Sequence, residues 1–85
     1  MNVGKLYQVV ANKNSPQGIL VSESPDVMFT GVLDILKPDE IFVPLEENKK
    51  FKHVKLEVVK VCTPRGIKGY AAFFEGSVEY KAVNQ

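Results

Sequence analysis

The sequence has no tryptophan, one cysteine, one histidine and no long apolar run. A single cysteine excludes an internal disulfide, and one Cys with one His is too few for the four ligands of the common structural zinc sites. No run approaches the roughly 20 apolar residues that span a bilayer, and the first residues lack the apolar stretch of a secretory signal. We therefore expect a cytoplasmic protein with no membrane partner, no metal and no cofactor.

The charge is nearly balanced, with 11 Lys and Arg residues against 10 Asp and Glu residues, so bulk charge indicates no class of partner. The 85 residues are enough for one small domain and too few for two. Hydrophobic residues make up 45% of the chain, which supplies a core for that domain. The sequence therefore predicts a single domain over residues 1–85.

Short apolar runs rich in β-branched residues alternate with turn residues, which is typical of an all-β domain. We predict five to six strands. A slip in the apolar alternation at Val58 and Val59 predicts a β-bulge in the longest strand, where Leu56 and Val58 are expected on the buried face. Strong bending of this kind lets a small sheet close. The predicted fold is a strongly bent antiparallel barrel with strands near residues 5–11, 18–22, 41–45, 53–62, 69–74 and 78–83.

The segment 24–36 fits two interpretations. Ser24 could cap a helix with Pro25 at its first position, because the apolar residues that follow fall at helical spacing. Gly31 and the many β-branched residues favour an irregular turn followed by a strand, which is the preferred interpretation.

Four short segments carry a resemblance to a known family. They are an apolar strand that runs into a Ser-Pro loop (19–25), a turn with Lys and Pro (31–39), a strand that ends in Leu-Glu (42–46) and a Gly-x-x-Gly-aromatic hairpin end (66–71). In this order they resemble the bacterial SH3-like domains, which implies an SH3-like barrel. Wall-peptide or glycan recognition in that family uses exposed aromatics, and its usual tryptophans are absent here, so the resemblance implies the fold more than that function.

His53 and Cys62 are the only candidates for a base and a nucleophile, and neither lies in a recognisable catalytic motif. Carboxylate pairs of the glycosidase type need a cleft that a chain of this size can hardly enclose. We therefore expect no enzymatic activity.

Charge is unevenly placed along the chain. Residues 49–68 contain seven basic residues and one acid, a net charge of +6, whereas the remaining chain sums to −5. On one side of the fold these residues would form a basic surface for nucleic acid or for an acidic protein patch. The alternative is a solvated strand face whose lysines discourage edge pairing.

Two adjacent aromatic residues, Phe73 and Phe74, must point to opposite faces of a strand, so one of them should leave the core. An exposed Phe would form an apolar patch for a partner or a second copy, unless the 12–18 loop covers it. Together with the basic stretch, this gives the candidate binding residues Lys49, Lys50, Lys52, Lys55, Arg65, Lys68, Tyr70, Phe73 and Phe74.

The sequence therefore predicts a non-enzymatic protein-interaction module, for instance a small phage-type accessory factor that binds and modulates a host protein. One alternative is a small nucleic-acid-binding barrel that uses the basic 49–68 stretch. Another is a cell-wall or glycan binder. The expected partner is another protein, with nucleic acid or a second copy of the chain as alternatives.

Overall fold

The computed structural model describes residues 1–11, 13, 16–25, 31–47, 49–50, 55–74 and 78–83. These residues contain eight strands and no helix. In chain order the strands are β1 (Tyr7–Val9), β2 (Ile19–Ser22), β3 (Val32–Leu36), β4 (Ile41–Pro44), β5 (Lys49–Lys50), β6 (Leu56–Cys62), β7 (Lys68–Phe74) and β8 (Tyr80–Ala82).

Every strand pair is antiparallel, which confirms the all-β antiparallel prediction. The hydrogen-bonded order is β3-β2-β7-β6-β4-β1-β8, and β5 pairs with β6 beside β4. Strands β3 and β8 are the two edges, and within the described residues they do not pair with each other. The strand count exceeds the predicted five to six, because β3 lies in the segment 24–36, outside the six predicted strand ranges, and the two-residue β5 lies in a segment predicted as a charged loop.

Strand β3 occupies the end of the segment that fitted either a helix or a strand. Residues 32–36 are a strand, as preferred, whereas residues 26–30 lie outside the described residues. The ladder between β2 and β3 contains a register shift at Val21 and Ser22. At this point the regular pairing of β2 with β3 is interrupted.

The longest ladder joins β6 to β7 in seven cross-strand pairs, from Leu56–Phe74 to Cys62–Lys68. Its register is continuous, so the bulge predicted at Val58 and Val59 is wrong for this ladder. The alternation slips for another reason, since both valines are buried but only Val59 belongs to the core cluster. Neighbouring strand residues point to opposite faces, so the core face of β6 carries Val59 and not, as predicted, Leu56 and Val58.

Gly69 allows β2 to approach β7 closely. A Cβ atom at this position would lie 2.7 Å from the Ser22 carbonyl oxygen and 2.7 Å from Val21 Cγ1. Gly69 is buried on the core face, where it pairs across the ladder with Val61. The absence of a side chain here lets Val21 fill the space between the strands.

Four aromatic side chains from four strands form the centre of the core. Tyr7, Phe42 and Phe73 are buried, and Tyr80 packs against them. The ring centroids of Phe42 and Phe73 are 5.6 Å apart, and those of Phe73 and Tyr80 are 5.0 Å apart. Because β7 and β8 are four steps apart in the sheet order, a flat sheet would separate them by about 19 Å. The sheet is therefore strongly bent.

Glu79 connects β7 with the β1–β8 ladder across this bent sheet. It is buried, and its carboxylate accepts a hydrogen bond from the Phe74 N–H at the end of β7. Its own carbonyl oxygen accepts from the Val10 N–H at a distance of 2.8 Å, next to the β1–β8 ladder. Glu79 thus fixes the backbone at Phe74.

Candidate docking surface

The sheet has a second face, opposite the core, that carries large apolar side chains. On β6 and β7 this outer face is made by the cross-strand pairs Leu56–Phe74, Val58–Ala72, Lys60–Tyr70 and Cys62–Lys68. Tyr70 also pairs with Ser22 of β2, so Leu20, two residues before Ser22, lies on the same face. Ile35 of β3 pairs with Leu20 and therefore shares this face. Val32, opposite Ser22, extends it further. We call this set the outer face, with the residues Leu20, Val32, Ile35, Leu56, Val58, Lys60, Cys62, Lys68, Tyr70, Ala72 and Phe74. Val58 is buried within it, at 1% exposure.

Several of its apolar side chains are open to solvent. Leu20 is 48% exposed, Val32 is 52% exposed and Phe74 is 48% exposed. Exposed apolar residues scattered singly are ordinary, whereas several on one sheet face are typical of an interaction surface. The prediction that one of two adjacent phenylalanines leaves the core is confirmed.

Phe73, which was named as a candidate binding residue, is the buried member of that pair. Its side chain is 0% exposed and packs between Phe42 and Tyr80. The ring is therefore not available to a partner, because pairing with Glu57 places it on the core face of the ladder. The exposed member is Phe74.

Arg65 lies in the turn between β6 and β7, where it is held by two carboxylates. Its Nε donates to both carboxylate oxygens of Asp34, at 3.0 and 2.9 Å, and its Nη1 is 2.5 Å from Glu40 Oε2. The Nη2 donates to Glu40 Oε1 at 3.0 Å and to the Ile35 carbonyl at 2.9 Å. We call Arg65, Asp34 and Glu40 the arginine clasp. It uses most of the donors that would make Arg65 a phosphate-binding residue.

The clasp also occupies the edge strand β3. The Ile35 N–H donates to Asp34 Oδ1 at 2.8 Å while its carbonyl accepts from Arg65. Both backbone polar groups of Ile35 are thus bonded to side chains and are closed to an added strand, a common protection of sheet edges. Beside the clasp lies a shallow groove of about 330 Å³ lined by Val32, Leu33, Asp34, Ile35, Lys37 and Arg65.

The clasp shifts the ionisation of its members. Burial raises the pKa of Asp34, but hydrogen bonds from Arg65, Thr63 and the Ile35 N–H outweigh it and lower the pKa overall. Hydrogen bonding to Arg65 lowers the pKa of Glu40 in the same way, against the effect of burial. The two carboxylates in turn raise the pKa of Arg65. All three groups are therefore charged at neutral pH.

The lysines of the basic stretch are divided between the outer face and other places. Lys60 lies over the ring of Tyr70, with Nζ 5.8 Å from the centroid, and its Nζ is 4.0 Å from Glu46 Oε1. Lys68 and Lys55 are exposed, while Lys49 stands opposite Val58 in the ladder with Lys50 opposite Glu57. Lys52, with His53, lies outside the described residues. The structure brings Lys60, Lys68 and Tyr70 together on one face. Arg65 is instead engaged by Asp34 and Glu40.

Of the two residues considered for catalysis, His53 lies outside the described residues. Cys62 is half-buried, and its Sγ contacts the Thr63 carbonyl oxygen at 3.7 Å. In the part of the chain that the structure describes, no group of three or more His, Cys, Asp or Glu residues could hold a metal ion. The described residues also contain no helix long and apolar enough to cross a membrane.

Sequence reasoning missed the contribution of β2 and β3 to the outer face. The available signal was the alternation of Leu20 against Val21, which could have identified Leu20 as the residue facing away from the core. The arginine clasp had no local signal, since Asp34 and Arg65 are 31 positions apart. Only the packing of the hairpin turn against β3 brings these residues together.

No family model matches this sequence, and neither a curated protein nor a solved structure is significantly similar to it. The resemblance to bacterial SH3-like domains therefore stays a prediction, and function has to be argued from the surface itself.

Proposed function

We propose that this protein is a non-enzymatic interaction module that docks another protein on the outer face of its sheet. The observation that carries the proposal is the group of exposed apolar side chains on that face, Leu20, Val32, Ile35 and Phe74. Aromatic and aliphatic anchors of this kind provide most of the binding energy in protein interfaces. A small accessory factor that binds and modulates a host protein, as a phage would encode, fits such a surface.

The backbone at two of these anchors is held by buried or paired charges. Glu79 accepts from the N–H of Phe74, and the arginine clasp holds both polar groups of Ile35. A side chain presented from a fixed backbone loses little conformational entropy when a partner binds. The same contacts that stabilise the fold therefore favour a preorganised docking surface.

The bent sheet supports the finer proposal of an SH3-like barrel. The contact between the rings of Phe73 and Tyr80 brings β7 against the edge strand β8, four steps away in the sheet order, as the curvature of a barrel requires. A solved structure that shows whether the edge strands β3 and β8 pair would test the closure.

Nucleic-acid binding through the basic 49–68 stretch is the second candidate. The net charge of this stretch favours it. Against it stands the arginine clasp, which uses the planar guanidinium that could read phosphate in a bidentate manner. Lysines alone would give weak binding whose affinity falls linearly with the logarithm of salt concentration.

Site-specific photo-crosslinking tests the proposed function. A benzophenone amino acid replaces Phe74 in one variant and Ile41, which is 40% exposed on β4 and pairs with Gln8 of β1, in the control variant. Both are irradiated in lysate of the natural setting, with and without nuclease. We expect a discrete protein adduct from position 74 that survives nuclease and is weaker from position 41. Equal adducts from both positions, or adducts that disappear with nuclease, would contradict the proposal.

A further inference from the structure

The outer face is chemically polarised along the β6–β7 hairpin. One end carries Leu56 and Phe74, the centre carries Lys60 beside Tyr70, and the other end carries Lys68 beside Cys62. From Phe74 to Lys68 the strand advances six residues, which corresponds to about 20 Å. A ligand that follows this face meets an apolar surface first and two ammonium groups last.

The charged side chains that β6 and β7 contribute to this surface are all basic. The eight outer-face positions of β6 and β7 contain two lysines and no acid, because the single acid of these strands, Glu57, lies on the core face opposite Phe73. Charge complementarity between interfaces selects partners and excludes those of like charge. The partner surface should therefore carry carboxylates at the end that meets the lysines.

Lys60 shows how a carboxylate would be received. Its ammonium is placed over the Tyr70 ring and at 4.0 Å from Glu46, the longest separation of the ion pairs described. Both side chains of this pair are partly exposed, and exposed ion pairs contribute little stability. A partner carboxylate could take the place of Glu46 at small cost, while Tyr70 keeps Lys60 in position.

From these observations we infer, on the basis of the proposed function, that the outer face binds an extended acidic segment of another protein. This segment would place an aromatic or aliphatic side chain against Phe74 and acidic side chains near Lys60 and Lys68, four to six residues away.

Two other occupants fit the same surface less well. A second copy of the chain presents the same two lysines and no acid from β6 and β7, so a symmetric contact of these strands offers the lysines no carboxylate. A nucleic acid would meet few phosphate-binding groups here, since Arg65 is engaged by Asp34 and Glu40. The acidic protein segment is the occupant that satisfies both ends of the face.

The test begins with a phage-displayed library of random peptides of about ten residues, long enough to span the face. The library is selected on the immobilised full chain and, in parallel, on an empty surface. We expect enriched sequences with Asp or Glu at one end and an aromatic or aliphatic residue four to six positions away. The affinity of the enriched peptides is then measured by calorimetry.

Matched variants locate the binding site. Lys68→Glu and Phe74→Ser change the two ends of the face, whereas Lys81→Glu and Ile41→Ser make comparable changes at exposed positions outside it. We expect Kd to rise about tenfold or more in the first two variants and to stay within about twofold in the controls. Circular dichroism verifies that each variant remains folded.

The outcomes separate the inference from the proposed function. Peptides that lack acids but lose affinity in Phe74→Ser would overturn the acidic partner and leave the docking function standing. Peptides that bind all four variants equally, or a selection that enriches nothing over the empty surface, would overturn both. Tighter binding of a single-stranded oligonucleotide, of anionic vesicles or of a second copy in sedimentation would also overturn the acidic partner.

Discussion

Phe73 and Phe74 are neighbours in β7 and lie in opposite environments. Phe73 is enclosed by Phe42 and Tyr80 in the core, whereas nearly half of the Phe74 side chain is open to solvent. The fold requires the first, because its ring joins strands that are distant in the sheet order. Nothing in the core requires the second.

This difference separates the apolar residues that build the core from those on which the proposed docking function rests. On the core face of β6 and β7, the side chains of Val59, Val61, Ala71 and Phe73 are buried in the core cluster. The outer face repeats the apolar character without an equivalent layer over Leu20 or Phe74. An apolar residue kept on an exposed face lowers solubility, so a docking partner is the simplest physical reason for it.

The largest expected effect on stability comes from truncating the buried side chain of Phe73. Phe73→Ala removes a fully buried ring, which typically costs about 3 to 5 kcal/mol of the free energy of unfolding. Small domains have about 5 to 15 kcal/mol in total, so we expect a large fall in the melting temperature or an unfolded chain. Thermal denaturation followed by circular dichroism measures it. A loss below about 1 kcal/mol would contradict the assignment of Phe73 to the core.

The close approach of β2 to β7 gives the next effect. In Gly69→Ala the new methyl group meets the Ser22 carbonyl and Val21 at 2.7 Å, so the strands must separate. Overpacking of this kind costs about 1 to 3 kcal/mol. Urea denaturation measures this cost, and Gly66→Ala, whose Cβ meets no atom within 4 Å, shows the effect of the turn conformation alone. A neutral Gly69→Ala would show that β2 does not pack against β7 in this way.

The arginine clasp predicts a pH dependence. Because the pKa values of Asp34 and Glu40 are lowered in the folded state, their contribution to stability is full above the ordinary carboxyl range and is lost as pH falls through the lowered values. The melting temperature of Arg65→Gln should therefore lie below that of the wild type at neutral pH, and the difference should shrink between about pH 5 and about pH 2. A difference that is independent of pH would contradict the clasp.

The smallest effect on stability is expected at the exposed phenylalanine. Phe74→Ser should change the free energy of unfolding by about 0.5 kcal/mol or less, as surface substitutions usually do. Partner binding should nevertheless be lost. Paired measurements of urea denaturation and of crosslinking or peptide affinity decide this, and a variant that unfolds would place Phe74 in the core with Phe73.

Local patterns predicted the strands and turns because their causes lie within a few residues. The turn at residues 37–40 has Asp39 at φ 72°, a conformation that Asp tolerates better than most residues, and the 63–66 turn has Gly66 at φ 79°. The opposite placement of Phe73 and Phe74 follows from strand geometry alone, although which of them is buried does not.

The remaining features depend on contacts between distant segments. The bulge at Val58 and Val59 was wrongly predicted, because the periodicity of apolar residues cannot distinguish a bulge from a regular strand that buries residues on both faces. Because Arg65 is engaged by Asp34 and Glu40, the basic stretch offers fewer phosphate-binding groups than its sequence indicates. These ion pairs form because the fold places β3 beside the turn between β6 and β7. The candidate site was therefore only partly predictable, through Tyr70, Lys68 and Phe74.

The most direct test is chemical-shift mapping of the ¹⁵N-labelled chain with a peptide from the acidic–apolar selection. The account predicts shifts that concentrate at Leu20, Ile35, Lys68, Tyr70 and Phe74 while the amides of β8 remain in place. Shifts confined to β8 or to the arginine clasp, with an unchanged outer face, would contradict it.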